Sequence, residues 1–337
     1  MSNDPQSNGN IVPGLVSTII PVYNRPVLLE ETVNSVLGQS YRPIEIIIVD
    51  DGSEDKETPK LIEDFTRCRP DLIKAAIQDN QGPGAARETG RKIASGEFIQ
   101  YLDSDDLLEP KKFQYQVEQL RKNPHCGVSY CVTKRPYCST PDEPWLRTGQ
   151  SFRRILPDFL INRGWATLSP LWRRTACDQI GPWKKFSVME DWEYDCRAGL
   201  LGIDVIHCPE PLAVVRDHGA SRASGLGRGF DRVITQDYFL AHESVFCLLK
   251  HYDIALGKEF SHLFGRKLFW IARMCARHDL VREARIAIEM AIEMLHPKTT
   301  FDIRLFKIGV SLFGWQTAAR IAENSREKLQ AIPFRFN

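Results

Sequence analysis

Three short segments carry residues whose types and spacing can do chemistry: Pro21-Val22-Tyr23-Asn24, Asp50-Asp51-Gly52-Ser53 and Asp103-Ser104-Asp105-Asp106. Each ends an apolar, β-rich run. In an open parallel sheet, ligands bind at the carboxyl ends of the strands, where the loops are free to vary. Two acidic pairs on neighbouring strands repel each other unless a cation, a hydrogen-bonded ligand or a shifted pKa compensates. Asp-x-Asp on a tight turn offers oxygens to a hard divalent ion, whose open positions then take phosphate oxygens. An Asp at a strand end is also an ordinary helix N-cap, so Asp103-Ser104-Asp105 alone leaves both readings open. Downstream, Glu190-Asp191-Trp192-Glu193-Tyr194-Asp195 places Asp191 and Asp195 on one helix face and Glu190 and Glu193 on another. Read by itself, this is an acidic first turn favoured by the helix dipole. Arg216-Asp217-His218-Gly219 follows a further apolar strand, and a lone His there is ordinarily structural.

The elements that must position these residues alternate in type. From residue 16 to about 135, strands begin at Val16, Ile44, Glu97 and Gly127, with another near 73–78. Helical patterns lie between them: one with Leu28, Leu29, Val33, Val36 and Leu37 on a face, others near 57–67 and 84–95, and one from Pro110 to about Arg121. Continuous rather than alternating apolar strands predict a largely parallel sheet covered on both faces. Residues 150–225 are less regular and contain Trp165, Trp172, Trp183 and Trp192. Apolar spacing of three and four then predicts helices near 232–251, 257–276, 280–295 and 315–329. The expected division is a tail over 1–14, an α/β domain over 15–225 that carries the candidate chemistry, and a helical region over 226–337.

Composition narrows the class. The 337 residues, 43% apolar and 26% charged, suit a globular chain of roughly two domains. A net charge of +1 and the lack of an aromatic-basic motif give no support for nucleic acid as a partner. No run approaches the roughly 18 apolar residues of a membrane span, and the polar N-terminus lacks a secretory signal, so the expected location is cytoplasmic. The nine cysteines read as reduced thiols. Cys126, Cys131 and Cys138 lack zinc-ligand spacing. The stretch 297–337 carries seven Lys/Arg against three acids, +4, which suits either a solvated helix face or an anionic surface. There is no phosphate-binding Gly-x-x-x-x-Gly-Lys-Ser/Thr loop and no Gly-x-Ser-x-Gly elbow. Gly82-Pro83-Gly84-Ala85-Ala86-Arg87 breaks the dinucleotide fingerprint.

Taken in order, STIIPVYNRP, IIIVDDGS, GPGAARETG, YLDSDD and MEDWEYDCRAGLLG resemble the family-2 glycosyltransferases, inverting enzymes of the GT-A fold. The resemblance spans roughly residues 16–220. It implies a mostly parallel, Rossmann-like α/β sheet flanked by helices, followed by a C-terminal helical region. It also implies a nucleoside-diphosphate sugar as donor, with UDP favoured, and Mn²⁺ or Mg²⁺ as cofactor. The donor nucleotide set it implies is Pro21, Tyr23, Asn24, Arg25, Asp51, Gly84, Arg87, Asp103 and Ser104. Within that set Tyr23 stacks on the base, Asp51 hydrogen-bonds it beside Asp50, and Asp103 meets the ribose. Glu88 stands where family members often have Asn. Asp105, with Asp103 and His218, is the implied metal set, supported by Asp106. Asp191, beside Glu190, is the implied catalytic base.

A carboxylate opposite the leaving group can take the proton of a weakly nucleophilic acceptor hydroxyl as the new bond forms. Attack from that face inverts the anomeric centre. Trp165 and Trp192 are the aromatic candidates for an acceptor groove, although Trp is highly buried on average. The expected acceptor is a glycan or lipid-linked saccharide. The helical region is open to holding that acceptor, forming a homodimer or making peripheral membrane contact. Two other classes share the sheet: a sugar nucleotidyltransferase, for which PVYNRP lacks the glycine-rich loop, and a non-catalytic sugar-nucleotide or glycan-binding module.

Overall fold

The computed structural model describes residues 11–136, 143–217, 230–297 and 300–327. By contact clustering the chain divides into two compact units. The first contains Met1–Ile155, Arg163–Phe186 and Leu201–Ala220; the second contains Leu156–Asn162, Ser187–Leu200 and Ser221–Asn337. The segment 187–200, which the sequence places with 15–225, therefore groups with the C-terminal helices.

The first unit is built on an eight-stranded sheet. Its strands are β1 (Val12–Val22), β2 (Ile44–Asp50), β3 (Ile73–Ile77), β4 (Gly96–Tyr101), β5 (Leu107–Leu108), β6 (Val128–Lys134), β7 (Pro170–Arg173) and β8 (Val205–Val214). Their order across the sheet is β3-β2-β1-β4-β7-β6-β8-β5. β1 pairs in parallel with β2 and β4, β2 with β3, and β6 with β8. β7 runs antiparallel to both neighbours, and β5 antiparallel to β8. The mostly parallel sheet is thus present, with two reversed strands that periodicity does not reveal. A two-residue and a four-residue strand are too short to show a period.

All seven residues of β2, IEIIIVD, are buried, which is why its stretch from Ile46 to Val49 reads as an unbroken apolar run. Helices α1 (Pro26–Leu37), α2 (Glu57–Cys68), α3 (Pro83–Ile93), α4 (Lys112–Lys122) and α5 (Arg174–Ile180) belong to this unit. Pro26 and Pro83 occupy the first turns of α1 and α3, where a missing N–H costs nothing. α3 lies close on β1 because residue 90 is glycine. A Cβ there would stand 2.4 Å from Ile19 Cγ2. That close approach sets the height of Arg87, one turn earlier.

Strand order reverses beside β1. The chain steps outward through β2 and β3, then returns to β4 on the other side. This is a topological switch point, the usual ligand crevice of such sheets. PVYN, DDGS and DSDD leave the carboxyl ends of the three strands around it. Cys126 and Cys131 are free buried thiols, and Cys138 lies outside the described residues.

A polar network ties α4 to the sheet. Lys112 is fully buried and donates to Gln100 Oε1 at 2.6 Å and Gln116 Oε1 at 2.5 Å. Gln116 Nε2 in turn donates to the carbonyls of Ser129 (2.7 Å) and Ser169 (3.0 Å). Burial pushes the Lys112 ammonium down to about 8. Below that pH the lysine is charged in both folded and unfolded chains, and the full cost of burying the charge is present. Between there and its ordinary value of about 10.4, the unfolded chain binds a proton that the folded chain has released, so stability rises with pH. The stability gap between wild type and Lys112→Met should move by roughly 2 kcal/mol in favour of wild type from pH 7 to about 9.5. Urea unfolding at the two pH values measures it, and a constant gap would show that the ammonium carries no such penalty.

The second unit contains α6 (Glu190–Leu200), α7 (Arg232–His251), α8 (Lys258–Arg277), α9 (Val281–Met294), α10 (Phe301–Phe313) and α11 (Trp315–Glu327). The Asp231 side chain caps α7 by accepting from the Ile234 N–H at 2.8 Å. Among the described residues, no helix is long and apolar enough to cross a membrane.

Candidate active site

The first two loops are laced together. Asn24 sits in the left-handed region at φ 52°, which Asn tolerates better than most side chains. Its Oδ1 accepts from the N–H groups of Glu54 (2.7 Å) and Asp55 (3.1 Å), and its own N–H donates to Ser53 Oγ at 2.9 Å. Asp50 Oδ1 accepts from the Ser53 N–H at 2.9 Å. Gly52, at φ 76°, makes the turn between them. Tyr23, just past the strand, is 38% exposed, so its ring is available to stack. Pro21 stays within β1, opposite Val49.

Asp51 holds the entry to α3. Its carboxylate accepts from Gln78 Nε2 (2.8 Å), the Gln81 N–H (3.0 Å) and the Gly82 N–H (2.8 Å). Burial raises its pKa, against these hydrogen bonds, and the charge of Asp50 adds to the rise. A base held by Asp51 would share it with the loop it anchors. Gly84 follows in the buried first turn of α3.

The Asp-x-Asp acids are paired with arginines. Arg87 Nη2 donates to Asp103 Oδ1 at 2.5 Å, and Arg25 Nη1 donates to Asp105 Oδ2. The repulsion foreseen between acidic pairs is offset by these two cations of the chain itself. Arg87 is almost fully buried, with its guanidinium over the Trp183 ring at 4.8 Å. Glu88 is taken by Arg91 (3.0 and 2.9 Å) and by the Trp183 N–H (3.2 Å), so its role here is to hold α3.

A clamp that motif reading missed fixes the DSDD turn on α1. Thr32 Oγ1 donates to the carbonyls of Ser104 (3.0 Å) and Asp106 (2.9 Å). Arg216 donates from its N–H to Asp106 Oδ1 (3.0 Å) and from Nη2 to the Leu28 carbonyl (3.0 Å) and Thr32 Oγ1 (3.1 Å), and also reaches the Asp105 carbonyl and Glu31. The available signal was Arg216-Asp217 directly after an apolar strand. Asp217 itself receives Arg135 in a bidentate pair, at 2.8 and 2.6 Å. His218 lies outside the described residues.

In the second unit, α6 opens on Met189 at φ 68°, a left-handed conformation that is costly for Met. Glu190 is buried and Asp191 half-buried. α7 braces this turn. Asp237 Oδ2 accepts from the Ser187 N–H at 2.6 Å, Ser244 Oγ donates to Glu193 at 2.8 Å, and His242 stacks on Trp192 at 4.2 Å. Glu193 also binds Arg197. Burial, and secondarily the charge of Asp191, raise the pKa of the Tyr238 hydroxyl. That coupling places Tyr238 within electrostatic reach of Asp191.

The two candidate acceptor aromatics occupy interiors. Trp165 is fully buried among Tyr130, Phe152 and Trp172. Trp192 is 3% exposed, and its Nε1 donates to the Phe159 carbonyl at 2.6 Å.

Among the described residues there is no group of three or more His, Cys, Asp or Glu able to hold a metal. The donor chemistry at Asp103 and Asp105 nevertheless fits magnesium or manganese. Such ions are commonly held by one or two carboxylates together with substrate phosphates and water. The Asp103 side chain is 36% exposed, so it is accessible to an ion.

Residues 17–174 match the model described as Glycosyl transferase family 2. The uncharacterized glycosyltransferase RC0461 of Rickettsia conorii is 41% identical over 218 residues, covering 61% of this chain and 34% of the relative. The uncharacterized glycosyltransferase alr2836 of a Nostoc strain is 41% identical over 115 residues, 34% of this chain and 35% of the relative. The chain thus spans about a third of the length of these two relatives. Among solved structures, S. aureus TarS 1-349 superposes with a TM-score of 0.64 at 18% identity, covering 96% of this chain and 93% of that one. The mannosyltransferase PcManGT from Pyrobaculum calidifontis, in complex with GDP-Man and Mn²⁺, gives 0.53 at 16% identity, covering 99% and 86%. The sheet with its switch point, the five ordered motifs and these likenesses agree: residues 17–174 of this chain match glycosyl transferase family 2, and the fold is GT-A.

Proposed function

We propose that this chain transfers a sugar, with inversion, from a nucleoside-diphosphate donor to a hydroxyl of a glycan or lipid-linked saccharide. UDP-sugar is the favoured donor. The observation that carries the reading is the cluster at the switch point. There the carboxyl ends of β1, β2 and β4 bring Tyr23, Asn24, Asp51, Asp103 and Asp105 to one edge, with Arg25 and Arg87 beside them. Support also comes from TarS, whose fold is shared and which has been solved with UDP and with UDP-GlcNAc, and from the mannosyltransferase with GDP-Man and Mn²⁺.

Tyr23 stacks on the base, while Asp51 and the laced Asn24 loop set the base edge. Asp103, Ser104 and Gly84 line the donor's sugar-phosphate side, and Arg25 and Arg87 supply fixed positive charge for the diphosphate. Asp103 and Asp105 would hold the divalent ion, with His218 as a further candidate ligand. When bound, such an ion stabilises negative charge on the leaving diphosphate. Asp191 takes the proton of the acceptor hydroxyl, and Glu190 supports that turn of helix.

Calorimetric titration with UDP, with and without manganese, in wild type and Asp105→Ala tests the donor site. The expected result is manganese-dependent binding that Asp105→Ala weakens by roughly tenfold or more, the usual scale for losing a charged metal ligand or its support. Absence of binding by UDP, GDP, dTDP and CDP alike would remove the nucleotide site and the transferase reading with it. Tight binding without turnover of any donor would favour a binding module.

A further inference from the structure

α10 is apolar on two opposite faces. Ile303 and Phe306 are buried and seat the helix on its unit. Phe301, Leu305, Ile308 and Leu312 point outward, exposed by 68, 52, 56 and 68%. Their spacings of four, three and four, at about 100° per residue, confine them to an arc of roughly 60°. The stripe is one continuous ridge opposite the buried face. Arg304 and Lys307 are exposed along one flank. Four ordered apolar side chains in a row are a different matter from scattered surface leucines, and such patches mark interaction sites.

Charge says what covers the stripe. Residues 297–337 carry Lys/Arg at 298, 304, 307, 320, 326, 328 and 335 against acids at 302, 323 and 327, a net +4. Asp302 is tied back to Arg266 of α8 in a bidentate pair, at 3.0 and 2.6 Å. A second copy of this chain in an antiparallel two-fold contact would bring the same positive flank against Arg304 and Lys307. An anionic bilayer surface complements both features: acyl chains for the stripe and acidic headgroups for the flank. No described helix is long and apolar enough to span, so the contact lies in the plane of the surface.

We propose that α10 seats this chain on an anionic lipid surface, with Phe301, Leu305, Ile308 and Leu312 entering the acyl boundary and Arg304 and Lys307 meeting the headgroups. This goes beyond the transferase reading and does not depend on it.

Co-sedimentation of the full chain with phosphatidylcholine vesicles, with and without phosphatidylglycerol, tests it. The chain should partition onto the anionic vesicles only, and added salt should weaken the binding through screening. Leu305→Glu with Leu312→Glu should lower partitioning by roughly tenfold or more, because two apolar side chains lose their burial. Arg304→Glu with Lys307→Glu should lower it on anionic vesicles in the same direction. All four positions are exposed, so circular dichroism should report an unchanged fold. Absence of vesicle binding, or equal partitioning of wild type and the leucine variant, overturns the proposal. So does a dimer in light scattering that the leucine variant dissolves while vesicles stay unbound.

Discussion

Asp191→Asn should lower turnover by roughly 10²–10⁴-fold, the usual range for loss of a general base, with donor affinity unchanged. The substitution keeps the shape of the side chain while removing its charge and with it the ability to take a proton. Asp191 Oδ1 also accepts from the Trp192 N–H at 2.6 Å, a bond that the amide oxygen of Asn can keep. The first turn of α6 is held by Asp237 on the Ser187 N–H, by Ser244 on Glu193 and by His242 stacked on Trp192. The proposed donor residues lie on the β1, β2 and β4 loops rather than on α6, so calorimetry with UDP should not distinguish the variant from wild type. Single-turnover rates at saturating donor and acceptor are the decisive measurement. Wild-type rates in Asp191→Asn, alongside a large loss in Glu190→Gln, would transfer the role to Glu190.

The second large effect is on stability. Trp165→Ala should destabilise the first unit by about 3–5 kcal/mol, the range for removing a large aromatic from a core. Trp165 has no exposed surface, and its ring centroid lies 5.3 Å from Tyr130, 5.6 Å from Phe152 and 6.1 Å from Trp172. Nothing in that cage can collapse fully into the space of an indole. Urea unfolding should show the loss, and the fraction that remains folded should keep its acceptor KM. A fully stable variant with a raised acceptor KM would instead put Trp165 in the acceptor groove.

Much of the α/β unit is legible in the chain. β2 reads as continuous apolar residues from Ile46 to Val49 because both of its faces are covered, and α1 and α3 announce themselves by proline at their first turns. The predicted helices at 232–251, 257–276 and 280–295 match Arg232–His251, Lys258–Arg277 and Val281–Met294, because each has one apolar face and one wet face. α10 was missed for the opposite reason. Apolar residues on two opposite faces blur the three-and-four spacing on which a helix is recognised. β7 and β5 are set by long-range pairing with β4, β6 and β8, and local pattern carries no trace of that.

By itself the sequence determined which residues line the carboxyl edge of the sheet, since strand ends followed by Tyr, Asn and Asp are local events. It also determined the family those motifs match. Only the tertiary structure decided who partners whom there. Arg25 meets Asp105 across 80 residues, and Arg216 meets Asp106 across 110. It also decided that Trp165 and Trp192 are buried, that Asp51 spends its oxygens on its own loop, and that the helix bearing Asp191 is braced by α7. Charge pairing and burial depend on distances through space, which the folded chain creates and residue spacing along it does not encode.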